Sequence, residues 1–127
     1  MNSRDKGKRG ERELANLLQD HLGEIVTRNL NQSRDGGHDL NIKGIALEVK
    51  RREELALLEW WGQTLDQAGE LRVPVLAYRA SRRPWRFVIA GVDLGLDWCS
   101  GYDFSETVEM GIEVFAGWYR ERFLALQ

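Results

Sequence analysis

Apolar residues recur every three to four positions near the start of the chain. Leu14, Ala15, Leu17, Leu18 and Leu22 make one face of a helix over residues 8–22, with Gly23 as its stop. The polar, basic residues 1–7 before it read as a flexible arm. Short apolar runs with strand character follow at 25–29, 39–42 and 45–50. The third run alternates: Ile45, Leu47 and Val49 point one way, and Ala46, Glu48 and Lys50 the other. A second helix is expected over 53–71, with Leu58, Trp61, Leu65 and Ala68 as its apolar stripe and with Gln63 and Gln67 on the face of Trp60. Strands at 73–78 and 85–90 are separated by a basic turn, R-A-S-R-R-P at 79–84. An irregular acidic stretch then leads to Asp103 and Glu106 at capping-box spacing, and to a last helix reaching residue 124. Its face is Val108, Ile112, Phe115, Tyr119 and Phe123. The order helix, three strands, helix, two strands, helix reads as an α/β fold with a central mixed β-sheet flanked by helices.

Composition narrows this picture. A chain of 127 residues with 43% hydrophobic and 30% charged residues fits one globular domain over 1–127, in which 93–127 form an acidic connection and a C-terminal helix. No apolar run has membrane-spanning length, and the opening M-N-S-R-D-K-G-K-R-G lacks the apolar centre of a secretory signal. With Cys99 as the only cysteine, no internal disulfide forms, and a cytoplasmic protein is expected. The net charge of −2 conceals an asymmetry: residues 1–92 carry 16 Lys and Arg against 13 Asp and Glu, whereas residues 93–127 carry two against seven. Basic residues cluster at 4–12, 50–52 and 79–86, and it is such local patches that set an electrostatic footprint.

The candidate chemistry sits where polar residues interrupt the apolar pattern. Glu48 and Lys50 share a strand face, roughly 6.5–7 Å apart. Asp39 opens the preceding strand nine residues before Glu48, and a tight link at Gly44 lets it approach the same face. Two converging carboxylates suit a hard divalent cation, and a Lys beside them can stabilise an oxyanion or position water. Glu11 falls in the series 11, 14, 15, 18, 22, on the apolar stripe of the first helix. A carboxylate there is costly unless it is paired, metal-bound or at the core's edge; alternatively it is exposed in the first turn, where it favours the helix dipole. Residues 31–37, N-Q-S-R-D-G-G, form a polar loop of the kind that lines sites, and His38 reads as a hydrogen-bonded neighbour of Asp39. Adjacent Trp60 and Trp61 cannot share one helix face. Either both pack in the core and its margin, or one covers a subunit contact or stacks on a base.

These residues resemble the PD-(D/E)XK nuclease superfamily and, within it, the archaeal-type Holliday junction resolvases. The likeness spans about residues 6–90. K-G-K-R-G-E-R-E-L resembles the opening helix with its acid at Glu11, Asp39 takes the place of the Asp of the PD element, and E-V-K at 48–50 is the (D/E)XK element. V-P-V-L-A and W-R-F-V-I resemble the later strands, while His38 stands where Pro is usual. The resemblance implies a restriction-endonuclease-like sheet and a DNA endonuclease in which Glu11, Asp39, Glu48 and Lys50 are catalytic. Mg²⁺, with Mn²⁺ as a substitute, would be held by Asp39, Glu48, the Val49 carbonyl and Glu11. Arg12, Arg28 and, more loosely, Arg34 match positions that contact DNA; the charge pattern adds Arg82, Arg83 and Arg86 as an extension of the basic track. The implied partner is branched DNA, above all the four-way junction of recombination and repair, cut by a homodimer. Alternatives are a nuclease of the same superfamily acting on flaps or other DNA, and a non-catalytic DNA-binding module on the same scaffold. A plain surface ion pair between Glu48 and Lys50 leaves Glu11 and the nine-residue spacing unexplained.

Overall fold

The computed structural model describes residues 3–30 and 37–125, the side chains of 3–6 excepted. Helix α1, Ser3–Leu22, is followed by strands β1, Thr27–Arg28, β2, Leu40–Ile42, and β3, Ile45–Arg51. Helix α2, Leu57–Ala68, leads to β4, Val73–Arg79, and β5, Arg86–Ala90. A sixth strand, β6, Thr107–Gly111, runs directly into α3, Ile112–Tyr119, whose last turn widens to a π-turn over Arg120–Leu124. The strands lie in sequence order in one mixed sheet. Only β3 and β4 are parallel, joined by the crossover helix α2; every other neighbouring pair is antiparallel. This is the mixed-sheet α/β architecture that the element order implies.

The alternation in β3 decides what each face of the sheet meets. Ile45, Leu47 and Val49 join Val75, Ala77, Phe87, Ile89 and Met110 under α1 and α3 in one apolar core, where Phe87 stacks on Phe115 with ring centroids 4.3 Å apart. On the other face Leu76, Tyr78, Val88 and Ala90 meet α2 through Trp60 and Trp61. Both tryptophans are buried, so both belong to this core, and Trp61 Nε1 donates to the Tyr102 carbonyl at 2.8 Å. Leu58, placed by periodicity on the buried stripe, is instead 72% exposed, because the packed face of α2 is Trp60, Trp61, Thr64 and Ala68.

Three expected boundaries change. The arm expected over 1–7 is helical from Ser3, where a run of charged residues joins the first turns of α1. Helix α2 starts at Leu57, four residues later than expected, and stops at Gly69, whose φ of +66° a side chain resists. The last helix is shorter by a whole strand. Asp103 caps only a 3₁₀ turn, Phe104–Glu106, its Oδ1 accepting from Ser105 N at 2.9 Å. Residues 107–111 then alternate Thr-Val-Glu-Met-Gly, and turning Val108 and Met110 to the core lets them pair with β5. Val108 therefore sits in the same core as Ile112 and Phe115 but reaches it from a strand.

Gly44 fixes the β2–β3 hairpin on which the acids are carried. Its φ is +83°, and a Cβ there would run into the Phe123 ring. Gly44→Ala is therefore expected to cost about 2–4 kcal/mol, from left-handed strain plus overpacking, read as a lowered denaturation midpoint. Gly23→Ala, also at positive φ but facing open space, is expected to cost only about 1 kcal/mol.

Candidate active site

Asp39 stands one residue before β2 and is locked onto β3 through two hydrogen bonds. Its backbone N–H donates to the Leu47 carbonyl at 2.8 Å, and its Oδ2 accepts from the Val49 N–H at 2.7 Å. The adjoining pair is Leu40 with Leu47, so Asp39 is carried to the level of Glu48. The two carboxyl groups are hydrogen-bonded to each other. Glu48 is only 6% exposed, and burial, followed by the charge of Asp39, pushes its pKa up to about 8. Lys50, with Nζ 3.7 Å from Glu48 Oε1, opposes that rise without cancelling it. At neutral pH the pair therefore holds one proton between two acids.

That donor set fits a divalent cation, which can replace the shared proton with a charge that both carboxylates face. The third donor available is the Val49 carbonyl. The N–H of Val49 faces Asp39, and in an extended strand the N–H and C=O of one residue point to the same edge. Among the described residues no group of three or more His, Cys, Asp or Glu side chains converges. Such a sparse set suits a small hard cation that keeps waters and takes oxygens from a substrate.

Glu11 does not join the two acids in a three-carboxylate group. Its Oε2 is 2.8 Å from Arg28 Nε, in a partly buried ion pair. Arg28 is in register with Leu40, and the next residue, Asn29, donates its N–H to the Asp39 carbonyl at 2.9 Å. Glu11 thus reaches the flank of the site through Arg28. This resolves why an acid lies on the stripe of α1: it is paired at the core's edge. His38 is buried and held by Asn29, Asn41 and Arg72, with Nε2 3.1 Å from Asn41 Oδ1 and Nδ1 2.6 Å from Arg72.

Gln67 is a site residue that the sequence reading did not single out. With its amide nitrogen turned inward, it donates to Glu48 Oε2 at 2.6 Å and to the Gly37 carbonyl. The signal was present, since residues 60, 64 and 67 advance by four and three. A polar side chain thus lies on the stripe of Trp60 and Thr64, the same anomaly that marks Glu11.

The expected DNA contacts divide into two groups. Arg12 is exposed on α1 and lines, with Arg28, Asn16 and Thr27, a groove of about 390 Å³. Arg82 and Arg83 lie in the β4–β5 turn and Arg86 opens β5, at the end of the sheet where β3 presents Lys50 and Arg51 beside Tyr78 and Arg79. Glu13 fastens this turn by accepting from both Arg79 and Trp85 Nε1, the latter at 2.9 Å. Arg86 is 3.5 Å from Glu109 in an exposed pair. Arg34 lies outside the described residues.

A family model described as "phage putative PDDEXK endonuclease" matches residues 2–100. No curated protein matches the chain.

The shared proton has a measurable consequence. A carboxyl whose folded pKa is raised from 4.5 to about 8 stabilises the fold fully below pH 4.5 and loses that contribution as pH rises through 8. Metal-free protein is expected to lose on the order of 3 kcal/mol across this window, and Glu48→Gln to remove most of the loss. Melting curves in EDTA at pH 5 and 8.5 check this. At pH 8.5, adding Mg²⁺ or Mn²⁺ is expected to raise the midpoint of the wild type and to leave Asp39→Asn nearly unmoved.

Proposed function

The chain belongs to the family of phage PDDEXK endonucleases, and from that premise we propose that it is a metal-dependent, structure-selective DNA endonuclease that cuts four-way junctions. PDDEXK nucleases generally use divalent metals, and the observation that carries the reading here is the Asp39–Glu48 pair with Lys50 beside it. A buried pair of acids that retains a proton at neutral pH is unfavourable as a purely structural device and well suited to a cation.

Mg²⁺, or Mn²⁺ in its place, would be held by Asp39, Glu48 and the Val49 carbonyl. The cation supplies positive charge for the phosphate and acidifies a water near it. Lys50 contributes the fixed cation beside the acids; its ammonium orients the attacking water and faces the charge that grows on phosphate oxygen. Val49 N–H holds Asp39 in place and Gln67 holds Glu48, so neither ligand has to reorganise when substrate arrives. Arg28, positioned by Glu11, and Arg12 line the groove beside β1 and take the DNA backbone there. Arg82, Arg83 and Arg86 take it at the other flank.

A four-way junction offers two strands related by near two-fold symmetry, which a two-fold homodimer presents with two sites in fixed opposition. Trp60 and Trp61, being buried, do not form its interface. Ile25 and Leu30, 84% and 77% exposed, flank the edge strand β1 as exposed apolar side chains. Among the described residues no helix is long and apolar enough to cross a membrane.

Cleavage of labelled synthetic DNAs in low salt with Mg²⁺ tests this reading. Paired, symmetric nicks in a four-way junction are expected, with the linear duplex spared. Lys50→Ala and Glu48→Gln are each expected to lose at least about a hundredfold in rate while still binding. Cutting of flaps with the junction untouched would keep the nuclease and discard the resolvase. Binding with no cleavage in Mg²⁺ or Mn²⁺ would leave a non-catalytic DNA-binding module.

A further inference from the structure

One strand beyond Lys50, on the same face of the sheet, lies a cleft of which the proposed DNA contacts use only the arginines. Tyr78 is in register with Lys50 on the neighbouring parallel strand and forms its floor. Leu55, in the approach to α2, and Ala80 and Pro84 of the basic turn form its walls, and Arg83 and Arg86 complete it. Its volume is about 340 Å³.

The lining is apolar surface open to water between two cations. Leu55 is 48% exposed, although it lies beside a tryptophan-lined core. The Arg83 guanidinium has no hydrogen-bond or ion-pair partner among the described residues; only its backbone is engaged. Arg86 is held by its 3.5 Å pair with Glu109, an exposed contact worth little. The cleft is also shaped in advance. Arg83 N–H donates to the Ala80 carbonyl at 3.1 Å and Arg79 Nε to the Arg83 carbonyl at 2.9 Å, while Glu13 fastens Arg79 and Trp85 on either side.

A slot with apolar walls and flanking cations fits a ligand with a flat apolar body and an anion attached, which is the chemistry of a nucleotide. The volume lies at the small end of the roughly 300–1,000 Å³ range of ligand clefts, too small for a base pair with its neighbours. In a duplex the faces of each base are stacked, so only a nucleotide free of the stack can enter. We propose that this cleft binds one unpaired nucleotide of the DNA substrate, next to the phosphate that faces Lys50. The proposal rests on the nuclease reading and narrows its substrate class to branched DNA with an unpaired nucleotide at the branch. Flaps and splayed arms carry one, whereas a four-way junction supplies one only when a pair opens at the crossover.

The test is binding of the whole chain, in EDTA, to a labelled flap duplex and to the same flap with abasic residues next to the branch. The abasic flap keeps every phosphate and loses only the bases. Wild type is expected to bind the intact flap about tenfold more tightly, the scale of one stacked base. In Leu55→Ala, and in Ala80→Leu, which fills the cleft from the opposite wall, that ratio is expected to fall to within about twofold of one, with melting curves confirming that the variants fold. Equal binding of the two flaps by wild type overturns the proposal, as does a tenfold ratio that survives both substitutions. The ratio is read without metal. Failure to cleave any DNA in Mg²⁺ or Mn²⁺ would therefore sink the nuclease reading alone.

Discussion

The hydrogen bond from the Val49 N–H to Asp39 Oδ2 is the contact on which the site depends. Two carboxylates repel one another once the proton they share is gone, more so where burial has removed the water that would screen them. In that ionised state Asp39, left to itself, would turn away from Glu48. It is held by three constraints in series: the Lys43–Gly44 turn sets the hairpin register, the Asp39 N–H to Leu47 bond extends that register past the end of β2, and the Val49 N–H fixes the side chain. The core beneath Leu47 and Val49 keeps β3 from yielding. The energy stored in the carboxyl pair is therefore supplied by packing on the opposite face of the sheet.

The two faces of the sheet thus have different tasks. The side under α1 and α3 is a dry core of aliphatic and stacked aromatic groups. The side under α2 is apolar only as far as Trp60, Trp61 and Thr64 reach; beyond them the strands present a polar row from Glu48 and Lys50 to Tyr78 and Arg86. Acids hold the polar side chains in place on both faces of the sheet. Glu11 takes Arg28, Glu13 takes Arg79, and Glu109 takes both Tyr78 and Arg86. The net charge of −2 arises in this way, from acids that position cations and an acidic connection set apart from them, and it does not describe the surface around Lys50.

Most of this order was legible in the residues. The alternation of β3 placed Glu48 and Lys50 on one face, and the nine-residue interval placed Asp39 near them; the structure brings all three together. Glu11 was marked by its position on an apolar stripe, yet the stripe did not say what it would pair with. Arg28 is 17 residues away, and only the fold brings it there. Gln67 carries the same mark, but an amphipathic pattern of α2 anchored on Leu58, which faces water, does not bring it out. Strand β6 has the periodicity of a helix, because Val108, Ile112, Phe115 and Tyr119 sit at helical spacing. A strand that enters a helix without a loop can keep that spacing while changing its geometry, and here the two-residue alternation of Val108 and Met110 was the better guide.

The sparseness of the donor set bears on how the protein would work. Two carboxylates and one carbonyl leave a small hard cation short of its preferred six oxygens, so the rest must come from water or from substrate phosphate. A phosphate that supplies one of them binds more tightly when the cation is present, and by reciprocity the cation binds more tightly when DNA is present. The proton shared by Asp39 and Glu48 opposes both, since a cation has to displace it. At neutral pH, without DNA, the resting site would then favour the proton. On the proposed reading, DNA carried in by the flanking arginines would shift that balance, so that the site would be assembled where a phosphate is already in place. Selectivity for DNA shape would follow from the same linkage, because only a substrate that reached the arginines on both flanks at once would set its phosphate beside Lys50.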